Sequence, residues 1–224
     1  SNVVNSDEVY ATGLGTMVNS DAGDGKIVYV SNIALSGEKS DLYTLSSSSL
    51  QTSVNISKAK VTGFEFEAYD KKYDKTAAAA VKVTAVNGVL DEDRDLVSVA
   101  GSAEFEDENS ADNKTVTFAA ESLTGAKSAN YEFLSEQTKV SSAAASIKPV
   151  KVNFTVANTA FVYDGDEKSV FVSAFDENLN VFTDFDVVYT DADENELSYV
   201  PSEAGSYKVK VDISDKVNYI TDYQ

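Results

Sequence analysis

Cysteine, histidine and tryptophan are all absent from the 224 residues. Without cysteine the chain has no disulfide staples, and cysteine usage carries no trace of the redox compartment. Without cysteine or histidine, Ser–His and Cys–His nucleophile systems and ordinary zinc sites are excluded. Proline occurs twice and glycine eleven times, too few for collagen-like or proline-rich linker material. No apolar run reaches the roughly 20 residues of a membrane-spanning helix and no secretory leader is visible, so a soluble chain without membrane insertion is expected. Basic residues are scarce as well: 18 Lys and Arg stand against 37 Asp and Glu, a net charge of −19. Such an excess repels phosphate backbones and anionic lipid, which argues against nucleic acid and membrane surfaces as partners and favours a monomer.

What is present is a chain meant to fold, with 42% hydrophobic and 10% aromatic residues, above the range of disordered sequences. It also repeats itself. Residues 13–47 laid on 101–135, without a gap, align Gly13 with Gly101, Asp24 with Asp112, Lys26 with Lys114 and Val28 with Val116. The match continues through Leu35/Leu123, Gly37/Gly125, Lys39/Lys127, Ser40/Ser128, Tyr43/Tyr131 and Ser47/Ser135. Chance supplies about two identities over such a length. The offset of 88 residues divides the chain into a complete unit at 61–150, a partial copy of its second part at 1–60, and a different module from about 151 to 224. The strands missing from the partial copy are expected to precede residue 1.

The hydrophobic period is two throughout. Phe64, Phe66 and Ala68 alternate with Glu65 and Glu67, as do Val116, Phe118 and Ala120 with Thr117 and Ala119. Val150, Val152, Phe154 and Val156 follow the same rule, as do Tyr207, Val209, Val211 and Ile213. Alternation of β-branched and aromatic residues marks strands with one face in a core and one in water. Clusters such as NSDAGDG (19–25) and YDGDEK (163–168) suit the turns between them. Only AAAA (77–80) and SSAAAS (141–146) resemble helix, and each is short and uncapped, so at most a helical turn is expected there. The fold class is all-β: tandem small antiparallel β-sandwich, Ig-like modules in an elongated arrangement.

The block with AYDKKYDKTAAAAV at its start, EFEDENSADNKTVTF in its middle and LTGAKSANYEFLS near its end resembles the YDG domain of bacterial surface adhesins. Lys75 stands where that family usually carries glycine, and in the partial copy Leu42 replaces the Asn of the Asn-Tyr ending. Residues 151–224, with FVYDG (161–165), VVYTDADENE (187–196), PSEAGSYKVKV (201–211) and VNY (217–219), resemble an MBG-type adhesin module. The resemblance implies β-rich stalk or adhesive repeats of a longer, extracellular or cell-surface bacterial protein. It implies no catalytic role and, if there is a partner at all, a host glycan or protein.

The residues themselves offer few sites. The acidic stretches DEDRD (91–95), EFEDENSAD (104–112) and DADENE (191–196) fall in predicted turns, where nothing raises a carboxyl pKa for acid–base work, so no enzyme is expected. Asp191, Asp193 and Asn195 copy the first three ligand positions of a calcium loop. Glu196 then replaces the required glycine and Ser202 the closing glutamate, so an EF-hand is excluded and an irregular calcium site remains a candidate beside a plain solvated loop. No other cofactor is expected. Lys151 and Asn218, on expected first and last strands, invite comparison with a Lys–Asn cross-link, but Lys151 alternates to the polar face. Of the twelve tyrosines most, including Tyr131 and Tyr207, occupy core-phase positions, which leaves a weak case for a sugar-binding platform.

Overall fold

The computed structural model describes residues 3–4 and 6–222. Its strands follow one another in chain order: β1 (Tyr10–Met17), β2 (Gly23–Ser36), β3 (Leu50–Ile56), β4 (Ala59–Val61), β5 (Gly63–Ala68), β6 (Lys71–Lys72) and β7 (Val81–Asn87). Next come β8 (Ser98–Phe105), β9 (Ala111–Thr124), β10 (Tyr131–Phe133) and β11 (Val140–Lys148). The last are β12 (Val150–Ala157), β13 (Phe171–Asp176), β14 (Phe185–Thr190), β15 (Lys208–Ile213) and β16 (Tyr219–Ile220). The only helical elements among the described residues are short 3₁₀ turns, so the protein is all-β. Neither alanine run is helical: Ala78 bridges Glu104, and residues 141–146 lie inside β11. β-Strand pairing overrides the weak local preference of alanine for helix.

Two compact units divide the chain. The first joins the residues up to Glu65 to Val83–Gly101 and Ala120–Ser141; the second joins Phe66–Lys82 and Ser102–Ala119 to the residues from Ser142 onward. The division falls inside β5, β7, β8, β9 and β11.

In the first unit β1, β2 and β3 form an antiparallel sheet in the order β1-β2-β3. All of β1 is exposed. A separate core gathers Val61, Val97 and Tyr131, with Val86, Val89, Leu123 and Phe133 around them. Here β10 runs parallel to β4, pairing Tyr131 with Ala59 and Phe133 with Val61.

In the second unit β12 pairs antiparallel with β13 and parallel with β16, setting Val150 opposite Tyr219, while β14 and β15 make an antiparallel hairpin. Its core holds Val152, Ala174, Phe182 and Ile213, packed by Phe154, Phe185 and Tyr219. The alternation read from 207–213 holds for Val211 and Ile213, which are buried. It fails at Tyr207, which is exposed, with its phenol donating to the Glu203 carbonyl. Tyr207 lies just before β15 begins, beyond the reach of the strand period.

The 88-residue offset appears in the backbone as well. β1 and β2 have the bounds of β8 and β9 displaced by 88, and the 3₁₀ turns Ser40–Leu42 and Ser128–Asn130 are displaced equally. Gly37 (φ 109°) and Gly125 (φ 105°) open those turns, where a side chain would be placed on the carbonyls of Glu8 and Leu96 respectively. Only glycine satisfies both the positive φ and the close approach. Gly25 and Asn113 likewise share a left-handed conformation, at φ 62° and 54°. Lys26 bonds the side chain of Asn19, and Lys114, nearly buried, bonds Asp107 at 2.6 Å.

Candidate functional site

Asp191, Asp193 and Asn195 lie at the tip that follows β14, and the tip is held by its own hydrogen bonds. The Asp191 carboxylate accepts the backbone N–H groups of Asp193 and Asn195, each at 2.9 Å, and the Asn195 side-chain amide at 3.0 Å. The Asp191 N–H donates to the Asn195 carbonyl, and Thr190 bridges Glu196 just outside. These bonds, led by the Asn195 amide, hold the Asp191 carboxyl below its ordinary pKa. Glu194, the left-handed residue of the tip at φ 67°, turns its carboxylate to Lys208. Asp191 thus spends its oxygens on N–H donors, and Asp193 supplies its N–H. No group of three or more acidic side chains that could hold a metal ion is found among the described residues.

The same tip occurs a second time, after β13. Asp176 accepts the N–H groups of Asn178 and Asn180 at 2.8 Å and the Asn180 amide at 2.8 Å. Leu179, the fourth residue, has φ 64°, and Phe175 bridges Val181. An Asp at the first position and an Asn at the fifth therefore build a five-residue hairpin tip in both DENLN and DADEN. The calcium-like spacing at 191–195 has a structural use in closing that tip.

A cleft of about 610 Å³ opens in the second compact unit between the YDK turn (73–75), the Asp176–Asn180 tip and Tyr219. Tyr73 and Tyr219 meet edge to face, with ring centroids 5.5 Å apart, and Phe182 lies 4.7 Å from Tyr219. Burial, followed by neighbouring Asp215, Asp176 and Asp184, raises the Tyr219 phenol pKa; burial also raises Tyr73. The rim carboxylates move the other way. Asn180 donors lower Asp176. At Asp215 burial pushes upward, but Asn218 and the neighbouring N–H groups outweigh it. At Asp74 burial is likewise outweighed by Lys71 and Thr76. The cleft thus presents aromatic rings beside ionised hydrogen-bond acceptors, a surface suited to hydroxyl-rich or cationic groups.

Lys75, in the position where the family carries glycine, keeps the left-handed backbone at φ 64°, as Gly165 does in the second YDG-like turn at φ 90°. Asp74 and Asp164 each accept the N–H two residues on and pair with Lys71 and Lys168. The left-handed backbone is therefore kept without its glycine. Lys151 pairs with Asp222, and Asn218 is engaged elsewhere, so the two do not face each other as cross-link partners.

Two asparagines, Asn130 and Asn218, make corresponding side-chain bridges. In the first unit the Ala22 N–H donates to Asn130 Oδ1 at 2.9 Å, and Asn130 Nδ2 donates to Asp21 at 2.9 Å. In the second the Ser110 N–H donates to Asn218 Oδ1 at 2.7 Å, and Asn218 Nδ2 donates to Asn109 at 3.1 Å. All three positions correspond at the offset of 88. The signal was present in the sequence, since ANY at 129–131 and VNY at 217–219 are 88 apart.

Compared with known proteins, residues 57–139 match the family model of the YDG domain, so the chain contains a YDG domain there. Neither the curated proteins nor the solved structures yield a match to the chain.

Proposed function

We propose that the chain is a non-catalytic structural segment, a spacer or stalk, of a bacterial cell-surface or secreted adhesin. In this reading it consists of tandem Ig-like β-sandwich modules: a second, partial YDG unit at 1–60, the YDG domain itself, and an MBG-type module at 151–224. The observation that carries it is the repetition of strand bounds, turn geometry and glycine contacts at 88 residues. A chain that repeats what its own folding requires, and leaves its acidic side chains on hairpin tips, serves length and solubility better than chemistry. The net charge of −19 keeps neighbouring copies apart. Small-angle scattering tests the reading. Modules in line give a radius of gyration well above the roughly 17 Å of a compact 224-residue domain, and the compact value would refute it.

The cleft at Tyr73, Phe182 and Tyr219 favours a second reading, an adhesive module for glycan or protein. A glycan array probed with the full chain and with Tyr219→Ala separates the two. Binding lost on that substitution supports adhesion through the cleft, whereas a blank array supports the spacer.

A further inference from the structure

We propose that Asn130 and Asn218 are docking residues of a recurring joint, through which each β-segment seats on the hairpin tip of the segment before it. The inference deepens the spacer reading and rests on it, since it treats the segments as tandem copies. Each asparagine directly follows or ends a turn and precedes the tyrosine that starts a short parallel strand, β10 or β16. Each reaches 108 residues back to a tip between two neighbouring strands, 21–22 between β1 and β2 and 109–110 between β8 and β9. A primary amide is the side chain this seat requires, because it must accept a backbone N–H and donate to an oxygen at once. Aspartate offers no donor and leucine neither group. Asn218 is buried, and beside it the Ser110 hydroxyl is covered without a hydrogen-bond partner, where the first joint has Ala22.

The two joints differ in charge in a compensating way. In the first, the tip carries Asp21, and Lys127 donates to it at 2.9 Å. In the second, the tip carries neutral Asn109, and the residue corresponding to Lys127 is Asp215, which accepts from Asn218 at 2.8 Å. Seating the last segment on the first tip would place Asp215 against Asp21. Like charges held together oppose that pairing, so the joints specify the order of the segments as well as their attachment.

Amide hydrogen exchange on the full chain, read by NMR, tests the joint directly. Asn130→Ala is expected to speed exchange at the Ala22 amide about tenfold and leave Ser110 unchanged, and Asn218→Ala the reverse, each through loss of one local bond. Lys127→Asp should also speed Ala22, and adding Asp21→Asn should slow it again by recreating the neutral-tip chemistry of the second joint. Unchanged exchange at both amides in the alanine variants overturns the proposal. If either alanine variant unfolds, the Lys127→Asp pair decides: no rescue by Asp21→Asn overturns it. A compact radius of gyration with the amides behaving as expected would refute the spacer and leave the joint standing.

Discussion

At the scale of single residues, Tyr131 shows what the repeat preserves. Its ring is 3% exposed among Val61 and Val97, and its phenol donates to Asp93 at 2.7 Å while accepting the Leu90 N–H. Tyr131→Ala should cost about 3–5 kcal/mol in urea denaturation, as for other large aromatic core deletions. A variant as stable as the parent would refute the core role. Tyr43, its counterpart, also bonds a carboxylate, Asp7, but is only half-buried. The greater burial of Tyr131 comes from β4 and β7, which bring Val61 and Val86 to it. Lys75 gives a prediction of opposite sign. A lysine at φ 64° carries the cost of a left-handed backbone, so Lys75→Gly should raise stability by about 0.5–1 kcal/mol despite glycine's greater freedom when unfolded. The measurement is again the denaturation midpoint, and a loss of stability would show that the lysine side chain outweighs its backbone.

At the scale of elements, the strands were legible and the tips were misleading. Period-two alternation locates β5, β9 and β12 because a half-buried strand imposes it on every residue. Asp-x-Asp-x-Asn is ambiguous because calcium coordination and a capped turn both call for oxygens converging on a point; what separates them is the donor at that point, which is backbone geometry. In the tip at 191–195 the donors are N–H groups and the fourth residue is left-handed. The expected melting temperature is therefore the same in millimolar calcium as in chelator, given that a site with a Kd of about 1 mM would add only about 0.4 kcal/mol at 1 mM calcium. Asn195→Ala should cost roughly 0.5–1.5 kcal/mol without calcium, through its lost bonds to Asp191. A calcium-induced rise of many degrees that Asp193→Asn abolishes would overturn this view of the loop.

At the scale of the whole molecule, the sequence shows the repeat but hides its extent. The match fails after residue 150 because the last segment begins 91 residues after its counterpart, Val150 against Ala59, and ends 88 after, Tyr219 against Tyr131. Small changes in loop length cost a fold little, yet they break an ungapped alignment. The acidic surface carries its own prediction. Asp21, Asp107, Asp112, Asp164, Asp176 and Asp191 all have folded pKa values below the unfolded 3.8, mainly through donated hydrogen bonds from lysine and asparagine. A depressed folded pKa contributes stability that is present above the unfolded value and lost as pH falls through the folded one. Melting temperatures should therefore hold through mild acid and drop below about pH 4. A melting temperature still rising at pH 3 would show that relief of charge repulsion dominates. The parallel closure of β10 on β4 and of β16 on β12 has a mechanical side. Where two parallel strands are pulled from opposite ends, tension loads their hydrogen bonds together in shear. In an antiparallel closure they would open one at a time, like a zip. The parallel arrangement resists such a load better, and here it is built twice.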